Sequence, residues 1–208
     1  MSAIAKAGLA CALALSLSAC AAPAPQPIPA APADLHALVV VDIDGTLTPD
    51  VRAIRSVRPQ AAATLQHYLA KGYQVVYLSA RHPWFQSGLD QWLIAQGFPA
   101  GPLHLPADGA DRKAPDQYKT RVLQAYRAAG WTLAYAYGDS TTDFAAYAAA
   151  CISSEHVYAL RRDSESHCLP GAWQACLEGF EVHLQALRTD LPSLSAPSGA
   201  RLEDGHGG

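Results

Sequence analysis

Apolar residues fall along this chain in short runs that alternate with segments of helical periodicity. Residues 37–43 are apolar except for Asp42, and a run of that length reads as a strand covered on both faces. Pro59 suits the first turn of a helix whose positions Ala62, Leu65, Tyr68 and Leu69 share a face, with Gly72 as its stop. A second apolar strand occupies 73–78, and a helix follows over 85–96, ended by Gly97. The pattern continues with a short segment at 103–105, a helix over 115–129, a strand over 131–137, a helix over 141–150 and a strand near 157–160. This alternation predicts an α/β fold: a three-layer, Rossmann-like parallel sheet with helices on both faces and right-handed crossovers. Ligands of such sheets bind beyond the carboxyl ends of the strands, so the polar residues that close each apolar run gather at one rim. They are Asp42 and Asp44, Ser79, and Asp139 and Asp143.

The ends of the chain follow other rules. Residues 1–19 combine Lys6, an Ala/Leu-rich run over 7–17 and a small-residue close, which together make an export signal. The run is shorter than the roughly 20 residues that span a bilayer. Leu17-Ser18-Ala19-Cys20 resembles the lipobox of bacterial lipoproteins, which implies cleavage before Cys20 and its acylation. The expected product is a membrane-anchored lipoprotein facing the periplasm, with ordinary cleavage to a soluble periplasmic protein as the alternative. Residues 20–33, rich in Pro and Ala, read as an extended tether, and 189–208, rich in Pro, Ser and Gly, as a disordered tail. The folded domain is expected over 34–188.

Composition narrows the partners. With 208 residues, 50% hydrophobic and 16% charged, the chain holds material for one domain. Its basic residues are scattered and the net charge is −3, so no electrostatic footprint for nucleic acid exists. Loss of the signal removes Cys11 and lipidation consumes Cys20, leaving Cys151, Cys168 and Cys176 in an oxidising compartment. A Cys168–Cys176 disulfide is expected, because both lie in a loop-rich segment; a metal site and three reduced thiols are the alternatives.

The chemistry concentrates in Asp42-Ile43-Asp44-Gly45-Thr46-Leu47-Thr48. Two carboxylates two residues apart at a strand end, on a turn that Gly45 opens to close approach, supply a nucleophile and a proton shuttle. A carboxylate attacking a phosphoester forms an acyl phosphate and splits hydrolysis into two easier displacements. A hard cation such as Mg²⁺ tolerates that accumulation of charge, and Asp139 and Asp143 in Gly138-Asp139-Ser140-Thr141-Thr142-Asp143 complete its ligands. Ser79 bonds a phosphoryl oxygen and Lys119 offsets charge on the transferring group, with Lys113 a nearby competitor for that place. Arg81 is read evenly as a bidentate phosphate contact or a solvated loop residue.

Four motifs in order, Asp42-x-Asp44-Gly45-Thr46, Ser79, Lys119 and Gly138-Asp139-x-x-x-Asp143, resemble the haloacid dehalogenase (HAD) superfamily of phosphohydrolases. The resemblance implies Asp42 as nucleophile, Asp44 as general acid/base, and Ser79 and Lys119 as phosphate binders. It also implies Mg²⁺ held by Asp42, Asp139, Asp143 and the backbone carbonyl of Asp44. A narrower likeness covers residues 37–162. Asp42-Ile43-Asp44-Gly45-Thr46-Leu47-Thr48, Tyr77-Leu78-Ser79-Ala80-Arg81 and Tyr118-Lys119 look like the lipin/Smp type of catalytic domain. Ala107-Asp108-Gly109 and Ala136-Tyr137-Gly138-Asp139 look like the related C-terminal domain of Nir/RdgB phosphatidylinositol-transfer proteins. Lipins dephosphorylate phosphatidate, whereas the Nir/RdgB domains are regarded as phosphatidate-binding modules without turnover.

Only 36 residues separate Asp42 from Ser79 and 39 separate Ser79 from Lys119, which leaves no room for a cap domain. An open site suits headgroups at a surface. The expected activity is therefore Mg²⁺-dependent hydrolysis of a phosphomonoester, phosphatidate or a related lipid phosphate. The alternatives are a non-catalytic phosphatidate-binding module and a broad-specificity exported phosphatase on soluble esters. Arg52, Arg55 and Arg58 read as a solvated face, with anionic lipid as the alternative contact. Trp84 and Phe85 read as helix core, with a membrane interface as the alternative.

Overall fold

The computed structural model describes residues 27–33 and 37–194. Six strands form one sheet: β1 (Ala37–Val41), β2 (Gln74–Leu78), β3 (Leu103–His104), β4 (Thr132–Gly138), β5 (Val157–Leu160) and β6 (Ala175–Leu177). Their order is β3-β2-β1-β4-β5-β6 and every neighbouring pair is parallel. Six helices pack on it: α1 (Ala61–Ala70), α2 (Leu89–Ala95), α3 (Gly109–Lys113), α4 (Pro115–Ala128), α5 (Thr141–Ala149) and α6 (Glu181–Asp190).

The three layers follow from alternation along β1. Val39 and Val41 point into one core with Leu65 and Tyr68 of α1, Leu89 and Leu93 of α2 and Leu187 of α6. Leu38 and Val40 point into the other, with Leu123 and Tyr126 of α4 and Phe144 and Tyr147 of α5. A strand buried on both faces has no polar side to offer, which is why its sequence is an unbroken apolar run. Strand order reverses between β1 and β4, so the crevice outside their carboxyl ends is the natural ligand site.

Several boundaries differ from expectation. The helix expected over 85–96 begins only at Leu89, because Gly88 is left-handed (φ 69°) and Pro83–Phe85 form a separate 3-10 turn. Trp84 and Phe85 are consequently 85% and 49% exposed, not core. Residues 27–33, expected as tether, lie against the domain: Ala31 N–H donates to the Ala129 carbonyl (3.0 Å) and Trp131 Nε1 to that of Pro29 (2.8 Å). The expected tail begins too early, since α6 reaches Asp190, Leu191 is buried and Leu194 N–H donates to the Lys71 carbonyl (2.8 Å). The Leu184, Leu187 and Leu191 spacing of α6 is a readable helical stripe; β6, only the three residues Ala-Cys-Leu, is too short to leave such a signal.

Polar contacts tie the layers. Tyr68 and Tyr137 hydroxyls lie 2.7 Å apart, and Tyr137 Oη lies 2.7 Å from His183 Nε2, joining α1, β4 and α6 inside the core. Burial pushes His183 down to about 4, so it stays neutral there. Cys168 and Cys176 form a disulfide, and Cys151, just past α5, is exposed. The signal at 1–19 and the lipidation at Cys20 lie outside the described residues.

Candidate active site

Asp42 directly follows β1, and its N–H donates to the Tyr137 carbonyl (3.0 Å), which carries it forward beside β4. The chain then turns at once: the N–H groups of Thr46, Leu47 and Thr48 all donate to the Ile43 carbonyl (3.3, 2.9 and 3.1 Å). Gly45 takes φ 84°, and a Cβ there would collide with the Asp139 carboxylate, so the turn demands glycine twice over. Asp139 closes β4. Ser140 caps α5 in a reciprocal box with Asp143: the Asp143 N–H donates to Ser140 Oγ, and the Ser140 N–H to Asp143 Oδ2 (3.0 Å). This box fixes one oxygen of Asp143 and leaves the other for the cleft.

Three carboxylates therefore converge: oxygens of Asp42, Asp139 and Asp143 all lie within 4.8 Å of one another. Lys119, at 3% exposure, stands between two of them, with Nζ 2.5 Å from Asp42 Oδ1 and 2.5 Å from Asp143 Oδ1. Lys113 is exposed, so the buried position belongs to Lys119. Thr46 Oγ1 donates to the second Asp42 oxygen (3.0 Å). Across the cleft Asp44 faces β2, where Ser79 Oγ (3.0 Å) and Arg81 Nε and Nη2 (3.0 and 2.6 Å) donate to its carboxylate. Ser79 and Arg81 thus occupy their expected rim but hold Asp44 in the resting chain.

Electrostatics divides the carboxylates. Burial pushes Asp42 well above the usual carboxylate range; Lys119 opposes this, while the charges of Asp143, Asp139 and Asp44 add to it. Asp139 is raised to about 7 by burial and by Asp143, against the pull of Arg162. Burial acts on Asp143 in the same direction, but the charge and hydrogen bond of Lys119, with the Ser140 bonds, outweigh it and hold the group low. Two buried carboxyls held above their normal range mark a cluster short of positive charge. Three hard oxygen donors in that condition fit a divalent cation of the Mg²⁺ class.

Arg162, which pairs with Asp139, was not among the expected residues. It follows β5 at the same rim, so the rule that selected the other strand-end residues applies to it equally. Arg58 differs from its expected solvated face: it is buried and bonded to the Gly45 and Thr48 carbonyls of the turn after β1. Asp42, Asp44, Ser79, Arg81, Lys119, Asp139, Asp143 and Arg162 line one open cleft of about 400 Å³, together with Val51, Ile54, His82 and Phe85.

Comparison with known proteins gives the family and the fold. The model of the PITM 1-3 LNS2 domain matches residues 39–161, more than half of the chain. The chain belongs to the LNS2 family. Among relatives of this LNS2 chain, membrane-associated phosphatidylinositol transfer protein 1 of Rattus norvegicus is 30% identical over 165 residues, covering 77% of the chain and 13% of that protein. Membrane-associated phosphatidylinositol transfer protein 2 of Mus musculus is 28% identical over 153 residues, covering 72% and 11%. The chain thus spans a small part of these relatives' length. Two solved structures share its HAD-like fold. One is D,D-heptose 1,7-bisphosphate phosphatase from B. bronchiseptica, complexed with magnesium and phosphate (TM-score 0.53, 17% identity, 73% of this chain and 98% of that one). The other is a HAD-like phosphatase from Mesorhizobium loti (TM-score 0.54, 15% identity, 78% and 88%).

Proposed function

We propose that this LNS2 protein is a Mg²⁺-dependent phosphomonoester hydrolase that works through an aspartyl phosphate on Asp42. Its substrate in this reading is phosphatidate or a related lipid phosphate, met from a lipid anchor on Cys20 at the periplasmic side of a membrane. The observation that carries it is that Asp42 and Asp44 line one open cleft with separate partners, Lys119 on Asp42 and Ser79 with Arg81 on Asp44.

Asp42 attacks phosphorus in line, and the P–O bond to the leaving group breaks as Asp44 gives that oxygen its proton. Asp44 then takes a proton from water, which attacks the aspartyl phosphate, releases inorganic phosphate and restores Asp42. Entry of a phosphoryl group draws Ser79 and Arg81 from Asp44 to its oxygens, which frees Asp44 for proton transfer. Lys119 opposes the effect of burial on the attacking carboxylate, favouring its ionised form, and holds one of its oxygens by a direct ion pair. Asp42, Asp139 and Asp143, with the Asp44 carbonyl in the HAD-like reading, would hold a divalent cation, whose charge would let a phosphate dianion approach three carboxylates. The open cleft supports a headgroup substrate, because nothing among the described residues folds over it to enclose a small metabolite.

The test is phosphate release by the full chain with Mg²⁺, on phosphatidate in mixed micelles and on soluble phosphomonoesters, beside Asp42→Asn. Turnover of phosphatidate that Asp42→Asn abolishes without unfolding is the expected result. Preference for soluble esters replaces the lipid substrate with the scavenging alternative. No release from any substrate by folded, Mg²⁺-loaded chain overturns catalysis in favour of a phosphatidate-binding module.

A further inference from the structure

Trp84 is 85% exposed, the most exposed large apolar side chain among the described residues. It sits on the 3-10 turn Pro83–Phe85, where the His82 ring accepts the Trp84 N–H (3.4 Å) and packs edge-on against the indole at 5.0 Å. The turn thus fixes an indole outward. An indole is apolar with one polar edge, and such groups are most stable at the boundary between water and hydrocarbon.

The neighbourhood continues the pattern. Phe85 and Val51 are 49% and 41% exposed and, with Ile54, line the same open cleft. Arg81 joins the two loops by donating to the Ile54 carbonyl (3.4 Å). Between these apolar groups Arg52 and Arg55 are exposed, and neither forms an ion pair among the described residues. The acid of that loop, Asp50, is engaged by Ser164 and by the Arg52 N–H. Aromatic and aliphatic side chains interleaved with free cations match the boundary of an anionic bilayer, where acyl chains take the former and headgroup phosphates the latter. No helix among the described residues is long and apolar enough to cross a membrane.

We propose that the Pro83–Phe85 turn and the 51–55 loop dock onto a lipid bilayer bearing anionic headgroups, inserting Trp84 and setting the cleft mouth on the headgroup plane. The proposal rests on the lipid-phosphate reading of the cleft and gives that reading its orientation: a headgroup enters past Arg52 and Arg55 without leaving its leaflet.

Tryptophan fluorescence of the full chain tests it on vesicles of acyl-brominated phosphatidylcholine containing phosphatidate. The other three tryptophans are buried or half-buried, so acyl-chain bromine reports on Trp84. Wild type is expected to be quenched, Trp84→Ser to lose the quenching and to need about tenfold more lipid for binding, and Trp84→Phe to keep binding. Turnover of a soluble phosphomonoester by Trp84→Ser should equal that of wild type. Equal quenching in wild type and Trp84→Ser overturns the proposal. So does self-association that Trp84→Ser abolishes in a chain that vesicles leave unquenched, which would assign the patch to a second copy. Quenching that depends on Trp84, with no phosphate released from phosphatidate, leaves the docking surface standing and refutes the substrate.

Discussion

Arg58 is the perturbation that most directly tests how the turn after β1 is held. Its guanidinium, 4% exposed, donates to five carbonyls: Nε to Thr48 (3.1 Å), Nη2 to Gly45 (3.0 Å), Pro49 (3.1 Å) and Arg161 (2.7 Å), and Nη1 to Glu178 (3.2 Å). One planar cation therefore clamps the 45–49 turn to the segments following β5 and β6. Arg58→Met keeps most of the stem and removes every donor. The contacts to Gly45 and Thr48 are buried, and each orphaned buried acceptor costs about 1–3 kcal/mol, whereas water reaches the three half-buried ones. The loss is thus about 4 kcal/mol, or a melting point lower by about 10 °C for a domain of this size. Arg58→Lys, whose ammonium cannot span five acceptors, should recover less than half of it. Because Gly45 adjoins Asp44, turnover should also fall, by about tenfold or more. Urea unfolding at neutral pH with phosphate release alongside measures both effects. Arg58→Met within about 1 kcal/mol of wild type would refute the clamp.

Other outcomes follow from the same geometry. Lys119→Met leaves Asp42 and Asp143 facing each other without their cation, so apo stability should drop by about 3–5 kcal/mol and turnover should vanish; unchanged urea midpoints would remove the ion triad from the account. Mg²⁺ should raise the melting point with its concentration. Because Asp139 is raised to about 7 and must lose its proton to bind, calorimetric affinity should fall as pH drops below about 7; Asp139→Asn should abolish the rise. Burial lowers His104 and His183 to about 4 from 6.5, so the unfolded chain binds more protons across that window. Their contribution is complete above pH 6.5 and is lost as pH falls towards 4, by up to about 3 kcal/mol each. Asp42 and Asp139 act oppositely, so the check is the smaller acid loss of His104→Gln relative to wild type in saturating Mg²⁺. Reducing the Cys168–Cys176 disulfide, which closes a short loop, should cost about 2–3 kcal/mol in urea midpoints; reduction without effect would show that the loop is held by its packing alone.

Some of this architecture is a property of short stretches. The apolar runs of β1, β2 and β4 declare buried strands because backbone alternation and burial on both faces need nothing beyond the run itself. The Asp42-x-Asp44-Gly45 turn and the Ser140/Asp143 box are equally local, since their hydrogen bonds join residues three to five apart. Strand ends of a parallel sheet share one rim, so the meeting of Asp42, Ser79 and Asp139 followed from the alternation of elements alone. What side chains do on meeting is another matter. Arg58 looked solvated because its acceptors at Arg161 and Glu178 lie 103 and 120 residues away, and nothing near it in sequence announces them. Arg162 reaches Asp139 across 23 residues, and the Tyr68–Tyr137–His183 chain that seats α6 joins three separate elements. Trp84 was misplaced for the converse reason: the left-handed Gly88 detaches the Pro83–Phe85 turn from α2, so the residues just before the expected helix do not join its core. Local patterning determines which backbone forms and which face is apolar. Whether a given cation or indole ends in the core, in the cleft or in solvent depends on what the rest of the chain lays over it, and only the assembled fold decides that.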